Sequence, residues 1–375
     1  MFQTSSTRRE FLLTGAALAG ASLARGAPQT IGTTSSAADL LDAGLARVEA
    51  LFPSQNVHRS SHAPMVIEAL AVLGRADAIQ PWLDENLDRE PADARASVAI
   101  EPAHWREFAG RPERFADWRA HFLAELRAGD WRTVVRTWAP RFIPWLAGAA
   151  THGVIRTGHA ARALAQQDNE VRRRALATGL AYWAVNYEEL SWDGTSAPEK
   201  NVADALARVE LRRPVREPPQ GNFVTGLRTL RDEPSFRAVA GWIDLRDPSH
   251  TLSEMASAFA RLYLANPERR VAFTHAITAP SALRLLASHL DEETVRTATR
   301  YAWQAAAGLY VVYGLPGAKP TVPSVLSPAD VIVRCVENGG AHAIKLTESC
   351  LREEALSHDS ILLAAARDAA ENMAG

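Results

Sequence analysis

Apolar residues recur at helical spacing along most of this chain, and residues that cap helices stand in front of many of these segments. Ser36 precedes Asp39 and a run of leucines, while Asp291 and Ser327 each stand directly before another periodic segment. Alternation typical of strands is scarce, and the best candidate, 311–313, fits the end of a helix better. The sequence therefore predicts an all-α fold, a single-domain multi-helix bundle.

Other helix starts are predicted from local signals. Ser61 is expected to cap a helix that carries Pro64 in its first turn. The stretch 251–254 is a capping box, and 278–280 is expected to open a short helix. A further helix is expected to start at His342.

The composition is that of an ordinary globular protein. The chain has 375 residues, of which 47% are hydrophobic, so one domain over 25–375 has enough apolar material for a large core. The longest irregular stretch, 191–222, is rich in proline and glycine. The stretch could be a domain linker, but a long loop in a compact domain is more often a lid or wrapping segment than filler. We therefore predict one domain in which 191–222 is an irregular loop or lid.

Charge and cysteine content exclude several classes of protein. The net charge of -2 does not indicate nucleic-acid binding, which requires a basic surface. Two cysteines are too few for a disulfide framework, and they lack the close pairing of a thiolate metal site. Because no glycine-rich dinucleotide-binding motif is present, a metal is the favoured means of any oxygen chemistry.

The N-terminus has the pattern of an export signal. Residues 6–12 carry the twin arginine Arg8–Arg9 followed by Phe and Leu, and an uncharged stretch of small and apolar residues runs to Ala24. This resembles a twin-arginine (Tat) signal, and it is too short to span a bilayer stably. We predict a signal peptide over 1–24, cleaved before Arg25 or near 19–21. This implies a periplasmic location and the Tat machinery as a partner, with no stable membrane span.

Four histidines stand beside small or apolar neighbours at the edges of helical patterns. They are His62, His152, His275 and His342. Side chains in such positions are expected to face the interior, and imidazole is the commonest metal ligand among side chains. Inward histidines on separate helices can build a metal site in the helical core. Taken alone, each is more often a satisfied core or surface residue than a ligand, and the metal site is favoured only if several of them converge.

Lys345 lies three residues after His342, on the same face of the predicted helix. A protonated lysine has three donors and no acceptor, so it cannot bind a metal. It could be a general acid or the charge partner of an anionic substrate. If carbon dioxide carboxylates it, it becomes an anionic oxygen ligand. Alternatively, Lys345 and Glu348 form a solvated surface pair.

A second group of candidates follows His152. Arg156, one helical turn later, shares its face, and His159 is a near neighbour of Arg156. Arg156 could hold an anionic substrate or order the site by a charge-assisted bond. His159 could be a ligand or support one.

Two weaker patterns are also present. The Glu-x-x-His spacing at Glu101 and His104 is that of di-iron bundles, but it occurs once where such bundles use it twice. Six tryptophans cluster in the first half, where we expect core packing and, for a few, an aromatic-substrate pocket. They are Trp105, Trp118, Trp131, Trp138, Trp145 and Trp183.

Through much of the mature chain the sequence resembles the questin oxidase-like family. The similarity runs in order through residues 61–65, 105–110, 115–118, 121–122, 138–140, 152–160, 275–280 and 342–348. Fungal members of the family oxidise aromatic polyketides, and questin oxidase opens an anthraquinone ring in a Baeyer–Villiger-type step described as NADPH-dependent. Related members are regarded as non-haem iron enzymes with a histidine-rich centre and a carboxylated lysine.

Carried over residue by residue, the resemblance implies a set of metal ligands. They are His62, His152, His275, His342 and carboxylated Lys345, holding Fe(II). Fungal members have histidine where this chain has Arg156, and an aromatic residue where it has His159. The choice of ligand between His152 and His159 is therefore open. The Tat signal indicates a bacterial, exported member.

On this basis we expect a metal-dependent oxidoreductase that uses O2. The expected reaction is a Baeyer–Villiger-type oxygenation or carbon–carbon cleavage of an aromatic or quinone-like ketone, for which NADPH could be the reductant. Arg156 would bind or polarise an oxyanion, with support from His159. Two alternatives stand beside this one. The same ligands around zinc would make a hydrolase, and purely structural histidines would leave a non-catalytic exported binding protein.

Overall fold

The computed structural model of the chain describes residues 35–50, 62–87, 95–187, 189–195, 197–198, 201–209, 223–231 and 233–373. Ser35–Gly375 forms one compact unit. The predicted signal peptide and both of its candidate cleavage sites lie outside the described residues, and so does Ser61.

Every regular element among the described residues is helical, which confirms the all-α prediction. The α-helices, α1 to α16 in chain order, are Ala37–Ala50, Ala63–Val72, Ile79–Asn86, Phe115–Ala128, Trp131–Phe142, His152–Gln166, Glu170–Val185, Val202–Arg208, Phe223–Arg228, Pro234–Arg237, Pro248–Ala265, Arg270–Ala287, Glu292–Tyr313, Pro328–Asn338, Ala341–Ser357 and Ile361–Asn372. Within these ranges, no helix combines the length and the hydropathy needed to span a bilayer.

Several predicted caps are present. The Ser36 hydroxyl accepts the backbone N–H of Asp39 at the start of α1. The side chains of Asp291 and Ser327 cap α13 and α14 in the same way. Residues 311–313 close α13, as the pattern indicated. Local capping chemistry therefore fixes these helix starts, since the orphan N–H groups of the first turn find an acceptor in the adjacent sequence.

Two predicted helix starts are wrong because tertiary packing extends the helices through them. The stretch 251–254 lies inside α11, whose cap is Asp247. Residues 278–280 lie in the middle of α12, so Pro280 is an interior proline. An interior proline costs roughly 3 kcal/mol of helix stability, but α12 is buried along most of its length against α6, α11, α13 and α15.

The prediction of an irregular stretch over 191–222 is wrong in part. Asn201 caps a short helix, α8, through the backbone N–H of Asp204. Val202 and Ala205 of that helix are buried. Residues 210–222 lie outside the described part of the chain, so their proposed role as a lid stays a prediction.

Four helices pack together in a closed set. Helix α2 packs against α6 and α15, and α12 packs against the same two helices. The contact between α6 and α12 is close, since a Cβ atom on Gly158 would lie 2.6 Å from the carbonyl oxygen of Ala282. Each of these four helices, or the residue before it, carries one of the four histidines.

Candidate metal centre

The four histidines meet where three helices begin. His62 directly precedes α2, His152 is the first residue of α6, and His342 is the second residue of α15, while His275 lies inside α12. One ring nitrogen from each of His62, His152 and His342 lies within 4.8 Å of the others. We call His62, His152, His275 and His342 the histidine cluster. The expectation that they face the interior together is met by this geometry.

The rings of the histidine cluster are in mutual contact. The His62 and His152 rings stack 5.1 Å apart, and the His62 and His342 rings meet edge to face at 4.6 Å. His275 closes the ring of contacts, with centroids 4.8 Å from His152 and 5.2 Å from His342. Among the described residues, the Nε2 atom of His342 is buried without a hydrogen-bond partner. A buried nitrogen without a partner is uncommon in folded proteins, and this one is available to a ligand.

Backbone carbonyls orient two of the imidazoles. The Nδ1 atom of His152 donates to the Ala149 carbonyl at 2.7 Å, and that of His275 donates to the Val271 carbonyl at 2.7 Å. Metal-binding histidines commonly donate their second ring N–H in this way, which directs the other nitrogen towards the metal.

The turn that places His152 is strained. Ala149, Ala150 and Thr151 have φ values of 49°, 52° and 68°, in the left-handed region that residues with a side chain disfavour. The Thr151 hydroxyl donates to the Ala150 carbonyl at 2.5 Å within this turn. Such conformations persist only where the surrounding structure enforces them, and they cluster at functional sites.

The histidine cluster consists of neutral imidazoles. Burial, followed by the positive charge of Lys345, lowers the pKa of His62 to about 2 and that of His275 to about 3. Burial also holds the pKa of His152 and His342 well below the ordinary value. Neutral imidazole is the form that binds metals.

Lys345 lies in the core beside the histidine cluster. Its side chain is 1% exposed, and burial lowers its pKa to about 7. Among the described residues, no carboxylate pairs with it, and its charge disfavours protonation of all four imidazoles. The alternative of a solvated pair between Lys345 and Glu348 is wrong, because both residues are buried and Glu348 is bound elsewhere.

His159 does not join the histidine cluster. It lies two turns further along α6, where its Nδ1 donates to Glu68 Oε2 at 2.6 Å. Arg162 contacts both oxygens of Glu68 at 2.6 and 2.7 Å and also pairs with Glu348. Arg352 binds Glu348 as well. We call Glu68, His159, Arg162, Glu348 and Arg352 the ionic layer. The geometry thus brings His152, and not His159, to the other three histidines.

Arg156 occupies an intermediate position. It is buried, and its guanidinium lies 5.0 Å from the ring centroid of Tyr182. Its charge is close enough to His62 to disfavour protonation of that ring, and burial lowers the pKa of Arg156 itself. A buried cation beside the histidine cluster can attract an oxyanion.

Sequence reasoning missed Glu68 and Arg162. The available signal was a single carboxylate at Glu68 within the apolar run of α2, since buried charges require a partner. Glu101 and His104, by contrast, are exposed, and neither belongs to the histidine cluster.

The six tryptophans are all buried, which confirms that they pack in the core.

Residues 60–350, well over half of the chain, match the family model described as questin oxidase-like. The matched region includes all four histidines, Lys345 and the ionic layer except Arg352. No curated protein matches the chain.

Proposed function

This chain belongs to the questin oxidase-like family, and from that premise we propose that it is a metal-dependent oxidoreductase that uses O2. The proposed reaction is a Baeyer–Villiger-type oxygenation or carbon–carbon cleavage of an aromatic or quinone-like ketone. The observation that carries this proposal is the convergence of three neutral imidazoles, those of buried His152 and of partly buried His62 and His342, whose ring nitrogens lie within 4.8 Å of one another. Histidines with purely structural roles are not expected to bring three ring nitrogens this close together.

His62, His152 and His342 would hold the metal, with His275 completing the set of imidazoles. Their chemistry fits iron(II), because imidazole together with an oxygen ligand suits that ion. Iron would supply the redox and Lewis-acid chemistry that oxygen activation requires. The carbonyls of Ala149 and Val271 hold the neutral rings of His152 and His275 in orientation before the metal arrives, and this lowers the cost of binding.

Lys345 would supply the oxygen ligand. We propose that its neutral amine reacts with carbon dioxide and loses a proton to form an anionic carbamate. Its burial and the absence of a carboxylate partner among the described residues favour the neutral amine that this reaction requires. The carbamate would also place a negative charge next to the metal.

Arg156 and His159 would act on the substrate. Arg156 would bind or polarise an oxyanion of the aromatic ketone, as its burial beside the histidine cluster allows. Glu68 fixes the orientation of His159 by accepting its Nδ1–H. His159 would thereby support Arg156 and the helix that carries both, and NADPH could be the external reductant.

We also propose export by the Tat route. The twin arginine at Arg8–Arg9 supports this assignment. Because Tat carries folded proteins, the enzyme would acquire its metal before it reaches the periplasm.

Metal analysis of the protein purified after native export tests the proposal. The variants are His152→Ala, His342→Ala and Lys345→Ala, with His289→Ala as the matched control, a half-buried histidine that packs on Trp131. We expect near-stoichiometric iron in the parent and the control, and its loss in the three site variants. Zinc in place of iron would indicate hydrolysis. A folded protein that takes up no metal, even on anaerobic reconstitution with iron(II), would exclude the metal centre and favour the non-catalytic binding protein.

A further inference from the structure

A buried indole and a partly exposed carboxylate form a hydrogen-bonded pair that takes no part in the proposed reaction. The Nε1 atom of Trp138 donates to Glu125 Oε2 at 2.7 Å. The Trp138 ring is fully buried, whereas the Glu125 side chain is 31% exposed. Burial alone would raise the pKa of Glu125, but the contacts with His121 and Trp138 lower it, so the carboxylate is ionised at neutral pH.

Trp138 is connected by two aromatic contacts to Trp183, which packs against the helix that begins at His152. The Trp138 ring stacks on Phe142 with centroids 5.7 Å apart, and Phe142 lies 5.9 Å from Trp183. Trp183 in turn lies against the first turn of α6, since a Cβ atom on Gly153 would fall 2.5 Å from Cγ of its indole. Gly153 directly follows His152, so the series of aromatic contacts from Trp138 through Phe142 to Trp183 ends beside the backbone next to His152.

The tryptophans of this region differ in the hydrogen-bond acceptor of their indole N–H groups. Loss of one electron makes an indole N–H strongly acidic, so the neighbouring acceptor decides where an oxidised tryptophan is stable. Among the described residues, Nε1 of Trp183 has no acceptor. Nε1 of Trp118 donates to the carbonyl oxygen of Phe108, which cannot take up a proton. Trp138 has an ionised carboxylate at hydrogen-bond distance.

We propose that Trp138 and Glu125 form a proton-coupled electron-donor site, which reduces a one-electron oxidant that arises from dioxygen at the histidine cluster when no aromatic substrate is bound. The proposal rests on the oxygen chemistry of the proposed function. Such a site would protect His62, His152 and the other buried residues of the cluster from oxidation, because the oxidising equivalent would move to a position close to the solvent.

The step is balanced in electrons and protons. Trp138 loses one electron, which passes by way of Phe142 and Trp183 to the dioxygen-derived oxidant. At the same time the Nε1 proton moves to the Glu125 carboxylate, which leaves a neutral indolyl radical and a carboxylic acid. A small external thiol then returns one electron and one proton to Trp138 and becomes a thiyl radical, and Glu125 releases its proton to water.

The first experiment uses the metal-free protein, so it does not depend on the identity of the metal. One-electron oxidation by pulse radiolysis should produce mainly a neutral indolyl radical in the parent, detected by transient absorption. Trp138→Phe should lose that signal. Glu125→Gln should convert it to a shorter-lived cation radical, because glutamine cannot accept the proton.

Trp131→Phe is the matched control. Trp131 is a fully buried tryptophan on the same helix, but its ring contacts His289 and its Nε1 has no partner among the described residues. This variant should keep the parent signal. Should Trp138→Phe fail to fold, Glu125→Gln leaves the ring packing intact and tests the proposal by itself.

The second experiment exposes the iron-loaded protein to oxygen without substrate and maps oxidised residues by mass spectrometry. Oxidation should concentrate at Trp138 in the parent and in Trp131→Phe, and should shift severalfold towards Trp183 and the histidines in Trp138→Phe and Glu125→Gln. Unchanged radicals and unchanged oxidation maps in both variants would overturn the donor site. A Trp138 radical in a protein that never binds iron would overturn the proposed function, and with it the role against a dioxygen-derived oxidant, while still showing that Trp138 and Glu125 donate an electron and a proton together.

Discussion

The Nε2 atoms of His62 and His152 lie 3.0 Å apart, although 90 positions separate the two residues in the chain. Since Nδ1 of His152 donates to a carbonyl oxygen, the Nε2 atom of this neutral ring must be the acceptor. His62 therefore donates its Nε2–H to His152. This bond joins the start of α2 to the start of α6, and a metal ion that takes both nitrogens would have to displace that hydrogen.

The neutral histidines predict acid sensitivity in the metal-free protein. The folded-state pKa of His275 is about 3, below the unfolded value. The contribution of this neutral imidazole to the free energy of unfolding is therefore fully present above about pH 6.5, and it is lost as the pH falls towards the folded value. The loss is about 1.4 kcal/mol per pH unit for each histidine that stays neutral. We expect His275→Gln to show a slope shallower by about that amount in urea unfolding between about pH 7 and pH 5.

The control for this prediction is His104→Gln, at an exposed histidine whose side chain is 67% accessible. It should leave the pH dependence of the parent unchanged. An identical slope in His275→Gln and the parent would show that His275 becomes charged inside the folded protein.

Arg162 is expected to be the most important single member of the ionic layer. Its guanidinium bridges Glu68 on α2 and Glu348 on α15, both of them buried. Arg162→Met leaves the two carboxylates without this partner, and breaking a buried pair costs about 3–5 kcal/mol. Arg334→Met, at the largely exposed Arg334–Glu371 pair, should cost about 0–1 kcal/mol. Similar costs in the two variants would contradict the bridge.

The contact between α6 and α12 predicts intolerance of even one added methyl group. A Cβ atom on Gly158 would lie 2.6 Å from the Ala282 carbonyl oxygen. Gly158→Ala must therefore push the two helices apart, and we expect a cost of about 1–3 kcal/mol in the free energy of unfolding. It should also weaken metal binding, because His152 and His275 lie on the separated helices.

Gly129→Ala provides the comparison for this change, since a Cβ atom on Gly129 would lie 3.8 Å from its nearest neighbour, the Glu125 carbonyl oxygen. We expect its free energy of unfolding to stay within about 0.5 kcal/mol of the parent. Equal metal affinity in Gly158→Ala and the parent would mean that the site tolerates the displacement.

The export signal makes a prediction of its own. Replacing Arg8 and Arg9 by lysine should retain the protein in the cytoplasm, because the Tat machinery reads the arginine pair. Cell fractionation and immunoblotting measure the distribution, and Arg25→Lys, beyond the predicted signal peptide, should be exported normally. Periplasmic protein from the double variant would refute Tat export.

Much of the local structure was predictable because it depends on neighbouring residues. Asp291 and Ser327 mark helix starts through side chains that reach only three residues ahead. The apolar spacing predicted helices, and the small neighbours of His62 and His342 predicted burial. Pro280 was misleading, since its local preference is opposed by the packing of α12 on four other helices.

The sequence by itself determined an all-helical chain and several of its helix caps, because these follow from periodicity or from chemistry within one turn. It also marked four histidines as candidate ligands by their small and apolar neighbours, with His159 still open as a substitute for His152. Only the tertiary structure decided that His152, rather than His159, meets His62 and His342, and that Glu348 pairs with Arg162 instead of Lys345. The physical reason is that burial removes water as a partner. A buried charge must then find its partner on whichever helix packs beside it, and spacing along one helix does not specify that neighbour.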